Sequence, residues 1–419
     1  MKKKLIVISI VVVFFLIAFL IRENMMLKGQ INKNDISSIP KKNHNMLSMM
    51  LETGANSGNY EMTTASSWPT EGYIFNSELS KCENGGELSW DNEKKVVLMS
   101  GNKSDKCYVY FDVIPTIADI CTSGENLSTC VKNFGDKGYD ISKIYIHNSS
   151  LQNGANDNSY RYAGAHDVVD NFVCFGTDTK PCPTDNLYRI IGVIDGKVRL
   201  IKYDYSSSAL LGTDGDYSSY KSTPGSTYRG SLTEIDGYRW NQTNEENVWS
   251  ESNLNKVNLN TNFITNIGTT WASKIATTTW KVAGGVFTGL PSETYQNEIA
   301  NSQSGDNSTT GGTEYSGKIG LMYVSDYGFA VSSDMWTLAL NSYTKTATDN
   351  NWMYMGAGDW TISPMTTMSD YVHVISTDGK IIIGFVGMDS FGVRPVFNLE
   401  NSVTYSSGGG SSDNPIRIN

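Results

Sequence analysis

The sequence predicts an α+β exported body held behind an N-terminal transmembrane helix, and three observations carry that expectation. Residues 5–21 form one uncharged apolar run, interrupted only by Ser9 and preceded by Lys2, Lys3 and Lys4. All six cysteines lie between Cys82 and Cys182, with no CxxC spacing among them. Two Asp-Gly turn signals, each flanked by strand-forming runs, stand on either side of stretches with helical spacing.

The apolar run is seventeen residues long, about 25 Å as a helix, which is the short end of a spanning segment and longer than a usual signal-peptide core. The exit Ile21-Arg22-Glu23-Asn24 lacks the small-x-small pattern of a cleavage site, so an uncleaved signal anchor is preferred to a cleaved signal. A pilin-like leader is disfavoured because Lys4, not Gly, precedes the run. Lysines on the cytoplasmic side place residues 23–419 outside the cell. Lys2, Lys3, Lys4 and Arg22 are four of the 33 basic residues, and against 43 acids the remainder carries −14, a surface that repels nucleic-acid backbones. Charged residues are 18% of the chain beside 39 Gly, 38 Asn and 23 Tyr, a composition of turns and strands.

In chain order, 1–22 reads as cytoplasmic lysines and signal anchor, and 23–60 as a stalk with a Met cluster and a short helix around Asn45–Glu52. Residues 61–115 read as a small β module, from Leu88-Ser89-Trp90, Val96–Met99 and Cys107–Phe111 between turn residues. In an oxidising compartment six cysteines allow fifteen connectivities. Neighbour pairing is the simplest: Cys82–Cys107 across adjacent strands, Cys121–Cys130 and Cys174–Cys182. Residues 116–154 read as a connector, and 155–419 as the large α+β domain.

That domain opens with a hairpin, Tyr188–Ile194 and Lys197–Tyr203 around Asp195-Gly196, where Gly accepts the positive φ of a type I′ turn. Ile201-Lys202 breaks the alternation and suggests a bulge. A second hairpin is expected at Val372–Ile375 and Lys380–Phe385 around Asp378-Gly379. Between them, Trp249, Leu254, Val257 and Phe263 share a helical spacing and Lys274–Trp280 reads as a second short helix. Gly392–Leu399 is a closing strand in which Pro395 asks for an edge position or a bulge.

Little chemistry is written locally. The four histidines, His44, His147, His166 and His373, show no metal-ligand spacing, and no nucleophile elbow is present. Gly312–Lys318 imitates a P-loop but has Ile319 where magnesium needs a hydroxyl. Asp214-Gly215-Asp216 lacks the other ligands of a calcium loop. No cofactor, metal or catalytic residue is assigned. The best remaining signal is aromatic: Trp336, Trp352, Tyr354 and Trp360 surround Gly356-Ala357-Gly358 with Asn and Asp neighbours, a setting that suits ligand stacking if exposed and core filling if not.

Several segments are distinctive as strings: Trp68–Tyr73, Asp105–Phe111, Asp185–Val193, Gly320–Ala330, Trp360–Pro364, Gly392–Leu399 and Asn414-Pro415. Over residues 60–419 they resemble a family of Firmicutes cell-surface proteins with an N-terminal signal anchor, a family that brings no established activity. The Gly-Val-Arg-Pro-Val strand is also similar to the last strand of C-type-lectin-like, sulfatase-modifying-factor-like folds, in which first and last strands pair. That resemblance implies a C-type-lectin-like distal domain. The lectins' Glu-Pro-Asn and Trp-Asn-Asp signatures are absent, as is any cysteine after Cys182, so neither activity carries over. The expectation is a membrane-anchored extracellular binding or adhesion protein for a glycan or protein ligand, with no nucleic-acid partner. The alternatives are an extracellular enzyme such as a wall-polysaccharide hydrolase, and a structural subunit of a surface filament.

Overall fold

The structure, a computed structural model, describes residues 34–36, 47–69, 71–101, 105–302 and 312–419. The expected anchor, 1–22, and most of the expected stalk lie outside these residues. Among the described residues no helix is long and apolar enough to cross a membrane. The chain divides into two compact units, Met1–Pro115 and Thr116–Asn419.

Among the described residues seven strands build the first unit: β1 Asn34–Ile36, β2 Leu47–Glu52, β3 Tyr60–Met62, β4 Tyr73–Cys82, β5 Glu87–Asp91, β6 Val96–Ser100 and β7 Cys107–Val113. They form a three-stranded sheet, β1-β6-β5, and a four-stranded sheet, β3-β2-β7-β4. Leu47–Glu52 and Tyr60–Met62 are therefore strands, where a stalk with a short helix at Asn45–Glu52 was expected, and β2 lies parallel to β7. Alternation is the cause: Leu47 and Met49 point into a core with Val97, Met99, Val109 and Phe111, while Ser48 and Met50 point out. Cys82 and Cys107 are cross-strand partners and are joined by a disulfide.

In the second unit the helix α1, Leu127–Gly135, is tied to the preceding turn by Cys121–Cys130. Its Leu127, Val131 and Phe134 join the main core, so residues 116–154 are part of this unit and not a connector. Next come β8 Ile144–Ile146, β9 Tyr160–Tyr162, β10 Phe172–Cys174, β11 Leu187–Ile194 and β12 Lys197–Lys202. β13 Tyr217–Ser222 pairs with β14 Ile235–Tyr238, and β15 Thr278–Lys281 with β16 Glu314–Gly317. Then follow β17 Ile319–Gly320, the short helix α2 Val324–Phe329, β18 Asp359–Pro364, β19 Tyr371–Ile375, β20 Ile381–Phe385 and β21 Val396–Asn398.

The α+β, C-type-lectin-like expectation is overturned by this inventory. The body is built mostly of strands in several small sheets, with short helical turns between them. Lys274–Trp280 is not a helix; three successive threonines, 277–279, favour extended backbone and lead into β15.

The central sheet runs β17-β21-β12-β11-β9-β8, with β10 on β11. The Asp195-Gly196 hairpin forms as expected, with φ of 49° and 74° at the turn. Its irregularity falls at Ile190/Gly192 and not at Ile201-Lys202. There β9 crosses so closely that a Cβ on Gly192 would stand 2.1 Å from the Tyr160 carbonyl oxygen. β21 lies antiparallel to β12, and it is an interior strand; Pro395 stands just before it, where no ladder N–H is needed. The second hairpin, β19–β20, also forms, through a five-residue turn, Ser376–Lys380.

The expected helix near 248–263 is a ten-residue π-helix, Leu254–Phe263. Asparagine side chains stand in for its neighbours' backbone pairing. Asn258 Nδ2 donates to the Leu211 and Asp214 carbonyls, and its Oδ1 accepts from Asp216 N. Asn260 pairs like a peptide with the edge of β17: Oδ1 accepts from Lys318 N and Ile319 N, and Nδ2 donates to Ile319 O. Asn260→Leu strands these groups, so a loss of about 2–3 kcal/mol in urea unfolding is expected; an unchanged midpoint would remove Asn260 from the account of this helix.

Candidate functional site

The four aromatics singled out from sequence are core residues. Trp336 and Trp360 are fully buried, and Trp352 and Tyr354 are 1% and 5% exposed. Each polar tip is spent internally: Trp336 on Val331 O, Trp352 on Tyr162 O, Trp360 on Tyr238 O and Tyr354 on Thr377 O. None offers a face to a ligand, which corrects the binding role expected of them.

An aromatic, Gly-rich loop can be buried only if its carbonyls find donors, and three arginines supply them. Arg229 donates to the Asn351 and Tyr354 carbonyls, Arg189 to Trp352 O and Arg394 to Met353 O. Arg394 is also held on Asp359 at 2.7 Å, both side chains being 2% exposed or less. Arg189 has no carboxylate within ion-pair distance among the described residues; it lies between the Phe172 and Trp352 rings at 4.4 and 4.7 Å, and burial pulls its guanidinium down to about 9. These residues organise the fold.

The carboxyl with the environment closest to an acid–base catalyst is Glu298, which burial pushes up to about 7. Its oxygens accept from Val324 N at 3.0 Å, Ser325 N at 2.9 Å and the Ser363 hydroxyl, and the residue is 2% exposed. Beyond Ser363, His373 bridges Ser363 O and Phe287 N, fully buried and pulled down to about 4 by burial. This chain pins α2 to the β18–β19 hairpin and meets no solvent. His166 of the His166-Asp167 dipeptide is pulled down to about 3 by burial, then by Arg189, Arg229 and Arg394, and contacts Trp352 O. Asp216 of the Asp214-Gly215-Asp216 turn accepts from Leu254 N and Gln242 N, a structural use.

Cys82, Cys107 and Asp105 crowd together in the first unit. Both sulfurs are committed to the disulfide, and Asp105 accepts from Asn84 N, Gly86 N and Lys106 N, so the cluster clamps a loop.

The outer face of the four-stranded sheet in this same unit has a different character. Register sets its side chains in three rows. Ser48, Tyr108 and Lys81 form the first; Met62, Met50, Tyr110 and Asn76 the second; Tyr60, Glu52, Asp112 and Ile74 the third. Tyr108 and Tyr110 are half-buried, while Val109 and Phe111 between and beyond them are fully buried on the opposite face. Met62 is 64% exposed. The Tyr60 ring meets Tyr110 edge-on at 5.0 Å, and its hydroxyl donates to Asp112 Oδ1 at 2.6 Å. Asn76 Nδ2 donates to both Asp112 oxygens, at 3.1 and 2.8 Å. Burial and then Asp112 push the Tyr60 hydroxyl up to about 12. The Lys106 ammonium lies 5.5 Å from the Tyr108 ring centre.

No family model, curated protein or solved structure matches this chain. The site therefore rests on its own geometry.

That geometry is an amphipathic platform in which Tyr60, held by Asp112, packs edge-on against Tyr110, so a ligand stacking on Tyr110 meets a ring with one side already supported. The sequence pattern Cys107-Tyr108-Val109-Tyr110-Phe111-Asp112 contains its signal, a period of two that puts both tyrosines and Asp112 on one face. What the pattern lacked was β2 and β3, which complete the rows.

Proposed function

We propose that the protein is a binding protein of the cell envelope, carried by the apolar N-terminal segment and recognising a glycan through the tyrosine face of its first unit. The carrying observation is the half-buried Tyr60–Tyr108–Tyr110 face, in which Tyr60 is held against Tyr110 by Asp112, interleaved with Ser48 and Asn76. Aromatic faces receive the C–H faces of sugar rings, and the adjoining Ser48 hydroxyl and the remaining lone pairs of Asp112, which Asn76 and Tyr60 hold in place, suit sugar hydroxyls. Three disulfides and the lysine-flanked apolar run support an oxidising, extracellular setting. The hydrolase reading draws no support from the carboxyls, because Glu298, the best placed by acidity, is sealed from solvent.

Tyr108→Ala with Tyr110→Ala is expected to cut glycan binding at least tenfold on a glycan array while leaving the unfolding midpoint of the second unit in place. Undiminished array binding by the folded double variant would sink the glycan reading. Loss of binding to a host protein, with no glycan bound by the parent, would replace it with a protein-recognition surface.

A further inference from the structure

The third row of the tyrosine face carries two negative charges that no cation offsets. Glu52 accepts from Gly58 N at 3.0 Å and Val113 N at 2.9 Å, and Asp112 accepts from the Tyr60 hydroxyl and the Asn76 amide, so every donor is neutral. Among the described residues the ion pairs of the first unit are Lys94 with Asp91 and Lys106 with Glu83, and neither involves these two carboxylates. Lys81, the cation of the face itself, belongs to the first row, four residues or about 13 Å away along β7.

The two acids differ in access. Glu52 is 4% exposed and both its oxygens are held by backbone N–H groups, so it contributes charge and no contact. Asp112 is partly exposed, and Tyr60 and Asn76 leave some of its lone pairs open. A calcium ion, which gathers six or more oxygens, is not served by one such carboxylate. A protonated amine is, because each of its three N–H donors needs a single acceptor. Asp112 follows Tyr110 by two residues, about 7 Å along β7, so a sugar ring lying on Tyr110 brings an edge substituent to it. The Tyr110 ring adds cation–π attraction for the same charge.

We propose that this face selects an amino sugar whose amine is free, the ammonium donating to Asp112 while the ring lies on Tyr110. This selection rests on the glycan reading of the face and narrows it to a cationic class of ligand. An N-acetylated sugar of the same shape lacks the charge and keeps one N–H donor of the three. A uronic acid brings the wrong sign to a row that already holds two carboxylates. The chain as a whole, at a formal −10, draws in the same sign of ligand.

Matched oligosaccharides test this on the full chain: a glucosamine tetramer, its fully N-acetylated form and a galacturonic acid tetramer, at about pH 6, where the sugar amine is protonated. The free amine is expected to bind at least tenfold tighter than the N-acetylated form, and the acidic tetramer to show no binding. Raising the salt from about 0.1 to 1 M shortens the screening length from about 10 to about 3 Å, and is expected to cut the amine-to-acetyl ratio at least threefold. Asp112→Asn is expected to bring that ratio near one. An N-acetylated form that binds as tightly as the amine, a ratio untouched by salt and by Asp112→Asn, or a parent that binds only neutral or acidic glycans would each overturn amine selection. In those cases loss of binding in Tyr108→Ala with Tyr110→Ala would leave the glycan reading standing, whereas a parent that binds no glycan removes both.

Discussion

Arg394→Met is expected to cost about 3–5 kcal/mol of stability in the second unit, the range for removing one partner of a buried ion pair. Arg394 and Asp359 are both almost fully buried, and the guanidinium meets the carboxylate through Nε and Nη2 at 2.7–3.2 Å. Methionine keeps the packing but leaves Asp359 charged in the core with only the Tyr205 hydroxyl, at 3.3 Å. It also strands Met353 O, one of the loop carbonyls. Against a usual total of about 5–15 kcal/mol, such a loss takes the unit close to unfolding. Seven of the nine tryptophans lie in this unit, so their fluorescence in urea reads the change. Asp359→Asn added to Arg394→Met is expected to recover part of it, because the stranded charge is gone. A loss below about 1 kcal/mol in the single variant would mean the pair is not a support of the fold.

Glu298→Gln is expected to stabilise the protein above neutral pH. Burial raises this carboxyl from 4.5 to about 7 in the folded chain, so the folded state holds the proton more tightly than the unfolded one. For such a group stability is greatest below the unfolded value and declines as pH rises through the folded one. The decline spans about pH 4.5–7 and amounts to roughly 3 kcal/mol at 1.36 kcal/mol per unit. Gln cannot ionise but turns one accepting oxygen into an amide NH2 facing a backbone N–H, a pH-independent cost of about 1 kcal/mol, so the variant lies below the parent at pH 4.5 and rises above it to a plateau beyond pH 7. Taking the difference between variant and parent cancels the opposite trend of the buried neutral histidines His147 and His373, which lose stability as pH falls. Asp326, the nearest acid at the start of α2, is held by Arg161 and Arg199 in both proteins. Parallel stability curves for the two proteins from pH 4.5 to 8 would show that Glu298 does not carry this linkage.

What could be read from the sequence was local. The three disulfides join neighbours in the cysteine order, and both Asp-Gly hairpins announce themselves within a dozen residues. The misread parts depended on distant partners. A loop with Trp352, Tyr354 and Trp360 beside Gly and Asn looks exposed until Arg189 and Arg229, more than a hundred residues earlier, are seen to serve its carbonyls. Asparagines in 253–266 signal turns by propensity, yet here their amides replace backbone partners inside a helix. The Tyr108–Tyr110 face was legible as an alternating strand, but β2, which widens it, comes from a polar stretch whose alternation is short.

The bridges join cysteines only 25, 9 and 8 residues apart, and the last of them is complete at Cys182. Each can therefore close in emergence order, as soon as its second cysteine clears the ribosome or a translocation pore, without waiting for any later segment. A crossed pairing, by contrast, has to wait for a cysteine that emerges later. The 237 residues that follow contain no cysteine and assemble by packing alone, so every covalent cross-link of the chain is set in its first half.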